Sequence, residues 1–251
     1  MDASLREQIL TAFRRMQFIP IKPEGRIQEW PEDYRETQPG HRHLSHLWEL
    51  YSGEEITPRG TLELVQAARK SLERRIAYGI GSTGWSRACI IGFWARLEEG
   101  DQVHDQFYEL LRHSALPSLL DICVEKPTSY CQIDGNLVGA AGVIDMLPQS
   151  HAELIIRFLP ALSHAWPQSC LRGIRARGGL TVDLTWRQGK AVHAMLRSSW
   201  TTKRTLAAPK GKKIDTLRCK NPLVTIKSKL EGNVYFEVIQ SETHHVSFDS
   251  A

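Results

Sequence analysis

The sequence has few cysteines and no long apolar run. Its five cysteines are irregularly spaced among 251 residues and form no C-x-x-C pair, so neither a disulfide framework nor a zinc site is expected. One bridge across a loop, between Cys123 and Cys131, stays open as an alternative. No stretch approaches the roughly 18 consecutive apolar residues of a membrane span. The first residues lack a basic segment followed by an apolar one, so we expect no secretory signal.

Neither sign of charge dominates. The net charge is +4 and the pI is about 8.8, with 41% apolar and 24% charged residues, which is typical of a globular protein. A chain of this length can bury a substantial core in one or two domains. Basic residues cluster only in the tract 201–220, which predicts a solvated basic loop. We therefore expect no nucleic-acid partner and no membrane partner.

Apolar residues recur every three to four positions in the first half of the chain, the spacing of amphipathic helices. Residues 2–17 place four apolar side chains on one face, at Leu5, Ile9, Phe13 and Met16. The segment 84–97 is apolar on all sides and predicts a buried helix. Further helices are predicted at 61–78, 101–113 and 135–147, with Gly79 ending the first, Asp101 capping the second and Pro148 ending the third.

The pattern changes after residue 157 from helical spacing to alternation. Residues 180–186 and 191–196 alternate apolar and polar side chains around the turn 187–190, which predicts a β-hairpin. Further strands are predicted at 222–227 and 234–239. The sequence therefore predicts a mainly α fold with a smaller all-β C-terminal domain, divided into residues 1–157 and 158–251.

One acid stands out in the segment S-Y-C-Q-I-D-G-N-L-V, residues 129–138. Asp134 lies where a loop enters a predicted helix, just ahead of the small-residue run 139–142. Backbone N–H groups at a helix start stabilise a carboxylate, and small residues let another surface or a ligand approach closely. A helix-capping Asp followed by packing glycines is the alternative interpretation.

A second polar cluster is H-R-H-L-S-H, residues 41–46. Arg offers a forked donor and His can donate or accept near neutral pH, so the cluster suits a polar pocket. His43 and His46 have the i,i+3 spacing of metal ligands. No acidic ligand is nearby and no H-E-x-x-H pattern occurs, so we expect no metal. A purely structural histidine cluster is the other alternative.

Five segments occur in an order and at spacings that resemble glycoside hydrolase family 95. They are H-R-H-L-S-H-L at 41–47, T-G-W-S-R-A at 83–88, Q-I-D-G-N at 132–136, L-P-A-L-x-x-A-W at 159–166 and G-I-R-A-R-G-G at 173–179. The resemblance covers roughly residues 20–197. Members of this family are inverting α-L-fucosidases, and some act on α-L-galactosides.

The resemblance implies a partial (α/α)6 barrel of the six-hairpin glycosidase type, followed by a β-sandwich-like domain. It implies that Asp134 helps to activate the attacking water and that Arg42 and His43 contact the fucose. Asn136 of the same Q-I-D-G-N segment is a further substrate-binding candidate. The expected partner is a fucosylated oligosaccharide or glycan, and no cofactor is expected.

Two loop residues ahead of the histidine cluster are also site candidates. Trp30 can stack on a sugar ring, and Glu29 can orient water or a sugar hydroxyl. A tryptophan packed in the core and a solvated or capping carboxylate are the corresponding alternatives.

The resemblance also implies what this chain lacks. In the family, the general-acid Glu and the water-activating asparagines lie in a part that precedes the matched region. We therefore expect a truncated fucosidase that is nearly inactive alone, or an inactive remnant that acts as a sugar-binding or interaction module. A partial barrel should leave an apolar face open, through which the chain would self-associate.

Overall fold

The computed structural model describes residues 2–15, 18–125, 128–152, 154–219, 228–230 and 233–249. The described helices all lie in the first 145 residues. They are α1 (Ala3–Phe13), a 3-10 helix (Ser45–Leu47), α2 (Leu62–Ala77), α3 (Gly84–Arg96), α4 (Gly100–His113) and α5 (Ile133–Asp145).

The described strands form three sheets. The strands are β1 (Ile122–Glu125), β2 (Thr128–Cys131), β3 (Pro148–Gln149), β4 (Ile155–Phe158), β5 (Ser169–Ala176), β6 (Leu180–Arg187), β7 (Lys190–Ser198), β8 (Thr202–Ala207), β9 (Ile214–Arg218), β10 (Ser228–Leu230), β11 (Asn233–Val238) and β12 (Thr243–Phe248). A two-stranded hairpin, β1-β2, precedes α5, and two five-stranded sheets follow it, in the orders β10-β11-β8-β4-β3 and β5-β6-β7-β12-β9. The fold is thus mixed, with helices and sheets, and the division at residue 157 stays a prediction.

Helices α3 and α5 lie side by side and run parallel. They approach each other closely because small residues on α5 face α3. A Cβ at Gly142 would come within 2.6 Å of Ile91 Cγ2 and 3.2 Å of the Gly92 backbone nitrogen. At the C-terminal ends, Arg96 Nε lies 3.1 Å from Asp145 Oδ2. The small-residue run after Asp134 therefore serves close helix packing, which agrees with the packing glycines of the alternative interpretation.

The burial predicted for the segment 84–97 is confirmed by α3, whereas the amphipathic segment α1 is exposed. Ten of the thirteen residues of α3 are buried, so this helix does not form the open apolar face expected of a partial barrel. By contrast, α1 has no buried residue. Its apolar face is exposed, at Leu5, Ile9, Leu10 and Phe13. Met16 lies outside the described residues.

Two helix starts differ from prediction. Helix α5 begins at Ile133, with Gln132 at the N-cap position, so Asp134 lies inside the first turn and does not cap the helix. Helix α4 begins at Gly100. Asp101 is likewise in the first turn, and its carboxylate accepts hydrogen bonds from the Ser163 hydroxyl and the His164 amide.

The predicted hairpin is confirmed by β6 and β7, which pair antiparallel around Gln188 and Gly189, both at positive φ. The predicted strand at 234–239 corresponds to β11. The predicted strand at 222–227 lies outside the described residues.

The basic tract 201–220 was wrongly predicted as a solvated loop. It contains β8 and β9, each of which has both buried and exposed positions. Arg204, Leu206, Ile214 and Leu217 are buried. The tract forms strands because its inward side chains contribute to the core between the two packed sheets. In that core the aromatic rings of Phe158 and Phe248 are in contact, with centroids 5.3 Å apart.

The sheets pack against the C-terminal ends of α3 and α5. The Gln149 side-chain amide donates to the Ala95 and Asp145 carbonyls, at 2.8 and 2.9 Å. The Ala161 amide donates to the Met146 carbonyl at 3.1 Å. The opposite, N-terminal ends of α3 and α5 consequently face away from the sheets.

Other expectations concern cysteines, membranes and metals. The β1–β2 register places Cys123 opposite Tyr130 and Cys131 opposite Ile122. The two cysteines therefore point to opposite faces of the hairpin, which disfavours the bridge considered above. In the described part of the chain, no helix is long and apolar enough to cross a membrane, and no cluster of three or more His, Cys, Asp or Glu side chains could hold a metal ion.

Candidate functional site

Asp134 lies on the exposed side of the first turn of α5. The amides of this turn have no partner within the helix and point toward its N-terminal end, where they favour a negative charge. Two side chains respond to that charge. It contributes to raising the pKa of the Cys89 thiol on α3, although burial is the larger cause, and it acts in the same way on the carboxyl of Asp121.

A contact chain links the histidine cluster to the start of α5. The rings of His43 and Trp85 meet edge to face, with centroids 5.3 Å apart. The Trp85 amide, in the first turn of α3, donates to the side-chain oxygen of Gln132 at 3.2 Å. Gln132 lies two residues before Asp134. The three motif segments at 41–47, 83–88 and 132–136 therefore meet at one end of the helical part.

His43 and Arg42 are both exposed at this end. The His43 amide donates to Nδ1 of His41 at 3.2 Å, and the two imidazoles lie 4.8 Å apart. Burial, with the neighbouring charges of His43, Arg75 and Arg42, lowers the pKa of His41. His41 therefore stays neutral and orders the segment, while Arg42 and His43 are accessible to a ligand.

Glu29 holds the segment 41–46 in place through contacts with Arg75, Ser45 and His46. Its Oε2 lies 2.5 Å from Arg75 Nη2, and its Oε1 lies 3.5 Å from the Ser45 hydroxyl and 3.6 Å from His46 Nδ1. The facing His46 is the largest cause of the lowered pKa of Glu29, and burial opposes it. Both carboxylate oxygens are thus used within the protein. Trp30, next in the chain, is 56% exposed, so it is not a core residue.

Asn136 is committed to the loop before β1. Its Oδ1 accepts from the Asp121 amide at 2.9 Å, and its Nδ2 donates to the Leu119 carbonyl at 2.7 Å. The Gln132 amide donates to the Asp121 carbonyl at 2.9 Å. A sugar hydroxyl would have to compete with these bonds. The observed role of Asn136 is to hold the loop that carries Asp121.

Asp121 is a residue of this site that the sequence did not indicate. Its carboxyl lies against Gly84 and Gly135, where any side chain at either glycine would collide with it. It is 2% exposed, and neither carboxyl oxygen has a hydrogen-bond partner within the described structure. The carboxyl therefore fills the space between the N-terminal ends of α3 and α5.

The environment of Asp121 favours its protonated form. Burial is the largest cause and raises its pKa to about 6; the charge of Asp134 acts in the same direction. The nearby Ile122 amide opposes the rise but donates its own hydrogen bond to the Ser114 carbonyl. Asp121 and exposed Asp134 thus form a pair of carboxyl groups in contrasting environments. A single acid in a loop of mixed residues gives no sequence signal of this arrangement.

A cavity of about 820 Å³ lies elsewhere. Its lining includes Glu98 at the end of α3 and Arg157 and Ala207 of the sheets. Arg42, His43 and Asp134 do not line it. The predicted site residues instead occupy an open surface at the opposite end of α3 and α5.

Two family models identify both parts of the chain, the helical part and the sheets that follow it. Residues 1–147 match the glycosyl hydrolase family 95 catalytic domain, and residues 149–246 match the C-terminal domain of the same family. The chain belongs to glycoside hydrolase family 95.

Curated relatives carry fucosidase names. The chain is 33% identical over 198 residues to alpha-L-fucosidase 2 of Arabidopsis thaliana, a match that covers 74% of this chain and 22% of the relative. It is 29% identical over 208 residues to a probable alpha-fucosidase A of Aspergillus oryzae, covering 74% and 28%. The chain thus spans less than a third of the length of these relatives. A GH127 beta-L-arabinofuranosidase from Geobacillus stearothermophilus T6 is similar at a TM-score of 0.30 and 13% identity, over 75% of this chain and 39% of that one, which is too low for an argument about fold.

Proposed function

We propose that this chain supplies the water-activating side of an inverting α-L-fucosidase. The observation that carries the proposal is the contact chain from His43 through Trp85 and Gln132 to the turn of Asp134. Inverting hydrolysis requires one carboxylate that removes a proton from water and one carboxylic acid that protonates the leaving group, about 6.5–9.5 Å apart. Asp134 suits the first role because it is exposed in the first turn of a helix, where the backbone amides favour a negative charge.

The remaining candidates divide into contact and positioning roles. Arg42 and His43, both exposed, would bind the fucose hydroxyls, and Trp30 would offer a ring face to the sugar. Glu29 and Asn136 would act by holding the histidine cluster and the Asp121 loop, since their polar atoms are already hydrogen-bonded or ion-paired.

The parallel pair α3 and α5 supports the proposed (α/α)6 barrel. The link from Leu97 to Glu99 is too short for α4 to do other than turn back, so α3 and α5 would be successive inner helices with α4 outside. Ile133 and Leu137, one turn apart on α5, are 55% and 65% exposed beside the site. We propose that further helices of a longer protein cover them and carry the general acid.

Asp121 does not replace that acid. Its pKa of about 6 suits a proton donor, but it is 2% exposed and cannot reach a glycosidic oxygen. We therefore expect the 251-residue chain alone to leave 2′-fucosyllactose intact, because general-acid assistance contributes about 10²–10⁴-fold.

A substrate that needs no general acid tests the proposal directly. In α-L-fucosyl fluoride the C–F bond breaks as fluoride leaves, water attacks the anomeric carbon, and Asp134 accepts the proton of that water. We expect the chain to release β-L-fucose, detected by proton NMR, and Asp134→Asn to slow this by about 100-fold or more.

The alternative, a module that binds sugar without chemistry, predicts a different result. It would bind L-fucose in saturation-transfer NMR, yet hydrolyse the fluoride no faster than buffer. Arg42→Gln should weaken fucose binding about 10-fold, whereas Arg35→Gln, a matched exposed arginine outside the cluster, should not. If the chain neither binds fucose nor accelerates fluoride hydrolysis, the proposed site is wrong.

A further inference from the structure

Trp200, in the loop between β7 and β8, presents a flat face of its indole ring to solvent. The residue is 51% exposed. A Cβ placed at Gly179 would lie 2.5 Å from both Cη2 and Cζ2 of the ring and 2.9 Å from Cε2. Because three neighbouring ring atoms are at similar distances, one face of the indole lies on the Gly179 backbone. The opposite face is therefore the one that is exposed.

The position of this ring is fixed by the backbone on both sides of it. The Ser198 hydroxyl accepts a hydrogen bond from the Trp200 amide at 3.3 Å and donates to the Trp200 carbonyl at 2.6 Å. Gly179 has a φ of +71°, which glycine adopts readily, and any side chain there would displace the ring. Gly179 is the last residue of the segment G-I-R-A-R-G-G, so that segment shapes this surface. A fixed aromatic face loses little conformational entropy when a ligand stacks on it.

Three loops meet beside the Trp200 ring at one end of the packed sheets. They are the β5–β6, β7–β8 and β11–β12 connections, at residues 177–179, 199–201 and 239–242. The Ser199 amide donates to the Gly179 carbonyl at 3.4 Å, which joins the first two loops. The Gln240 amide donates to the Thr201 hydroxyl at 3.1 Å, which joins the second loop to the third. Loops that a rigid scaffold holds in place often carry binding residues.

These loops carry exposed polar side chains close to the ring. Ser199, Gln240 and Ser241 are all exposed. Among the described residues, the side chains of Gln240 and Ser241 have no hydrogen-bond partner, and the same is true of the Trp200 indole N–H. A side-chain amide and a hydroxyl each offer both a donor and an acceptor. The hydroxyl groups of a neutral ligand would therefore find partners of both kinds here.

The composition of the three loops favours a sugar over a protein partner or an ion. Trp200 is the one exposed large apolar residue in these fully described loops, whereas a protein contact surface typically has a continuous apolar patch. Two charged residues occur in the loops; Arg177 pairs with Glu54, and Glu242 is half-buried. An isolated aromatic face with neutral polar groups around it matches a pyranose, which has a face of C–H bonds and an edge of hydroxyls.

From these features we infer that the three loops around Trp200 bind a neutral pyranose unit of a glycan. The C–H face of the sugar stacks on the exposed face of the indole. Its hydroxyls exchange hydrogen bonds with the side chains of Gln240 and Ser241.

This site is separate from the surface around Asp134. Arg177, in the first of the three loops, donates to the His151 carbonyl at 2.8 Å. His151 follows β3, beside the C-terminal ends of α3 and α5. Because a 13-residue helix such as α3 is about 20 Å long, these loops are remote from the N-terminal ends at which Asp134 lies.

Titration of the 251-residue chain with methyl β-D-galactoside tests the inference. The axial 4-hydroxyl of this sugar leaves one continuous C–H face. Nitrogen-proton NMR gives one indole N–H signal for each of the seven tryptophans, and Trp200→Phe identifies the signal of Trp200. We expect that signal to shift until the site is saturated. Galactitol has similar hydroxyls and no ring face, so it should bind about 10-fold more weakly or less. An unmoved Trp200 signal, or equal binding of galactitol, would overturn the inference.

Variants locate the site, with saturation-transfer NMR of the galactoside as the measurement. Trp200→Ala should weaken binding about 10-fold or more, and Gln240→Ala several-fold. Tyr108→Ala, which removes a 55% exposed ring on α4, should leave binding unchanged. Binding that survives Trp200→Ala would rule out this site. If that variant fails to fold, Gln240→Ala decides, and unchanged binding in it has the same meaning.

The result is distinguishable from the outcome for the proposed fucosidase site. Trp200→Ala should leave the release of β-L-fucose from the fluoride unchanged, and Arg42→Gln should leave galactoside binding unchanged. Loss of galactoside binding in the Arg42 variant would place the sugar on the surface around Asp134 and overturn this inference.

Discussion

The Trp85 amide donates a hydrogen bond to the side-chain oxygen of Gln132, at 3.2 Å. This bond ties the first turn of α3 to the residue that precedes α5. Because His43 packs edge to face on the Trp85 ring, the exposed Arg-His pair is fixed relative to the turn of Asp134. Segments about ninety positions apart in sequence thereby lie at the same end of the helical part.

The buried carboxyl of Asp121 predicts an unusual dependence of stability on pH. Its pKa is raised to about 6 in the folded protein from about 3.8 in the unfolded chain. The folded state keeps the proton in that interval, so the contribution is fully present below about pH 4 and is lost as the pH rises through 6. The free energy of unfolding should fall by at most about 3 kcal/mol from this group.

Asp121→Asn should remove that dependence. Urea denaturation at pH 4, 5, 6 and 7.5 would give the difference in unfolding free energy between variant and parent. We expect this difference to shift in favour of the variant as pH rises, because Asn carries no charge. Asp105→Asn, a change of an exposed acid on α4, serves as the control. A difference that is constant with pH would show that Asp121 ionises normally.

Local sequence patterns predicted the β6–β7 hairpin well and the strands β8 and β9 badly. The hairpin alternates cleanly around Gly189, so pattern and turn agree. In β8 the inward positions include Arg204, and a basic residue in a Lys- and Thr-rich tract indicates a loop. That arginine is buried only because the second sheet, β5-β6-β7-β12-β9, is formed by residues distant in the sequence and packs against it.

The site shows a similar limit. Asp134, Arg42 and His43 are site candidates from local patterns together with the family resemblance. No local pattern could show that Glu29 is held by Arg75, 46 positions away. Asp121 was missed because its role depends on the glycines of two other helices. Close approaches between segments leave no periodic trace in a single sequence.

The Glu29–Arg75 pair should be worth more than an exposed pair. The side chains are 15% and 6% exposed, so removing one charge leaves the other buried and unpaired. We expect Glu29→Gln to lower the free energy of unfolding by about 3 kcal/mol. Glu109→Gln, which removes exposed pairs with Arg112 and His113, should cost less than about 1 kcal/mol. Equal costs in urea denaturation would contradict the structural role of Glu29.

Two glycines of α5 should respond oppositely to alanine. At Gly139 a Cβ would meet the mobile end of Leu110, at 2.8 Å, so the side chain can yield and helix propensity should leave stability unchanged or raise it by up to about 1 kcal/mol. At Gly142 it would meet Ile91 and the Gly92 backbone, which cannot yield without separating the helices. We expect Gly142→Ala to destabilise by about 1–3 kcal/mol. Melting curves of both variants provide the comparison, and a Gly139 variant less stable than the Gly142 variant would refute it.

The exposed face of α1 predicts self-association of the isolated chain. Leu5, Ile9 and Phe13 lie on successive turns and are 50%, 47% and 62% exposed. Burying apolar surface yields roughly 25 cal/mol per Å², so a stripe of a few hundred Å² favours association by several kcal/mol before the entropy cost of binding.

Light scattering after size-exclusion chromatography would measure that association. The mass of the parent chain should rise with concentration, and Ile9→Lys should hold it at the monomer value. Thr11→Lys adds the same charge on the other side of α1, so it should behave like the parent. If the parent stays monomeric at high concentration and binds little apolar dye, α1 must fold against the rest of the chain in solution, and its exposed face cannot be a contact surface.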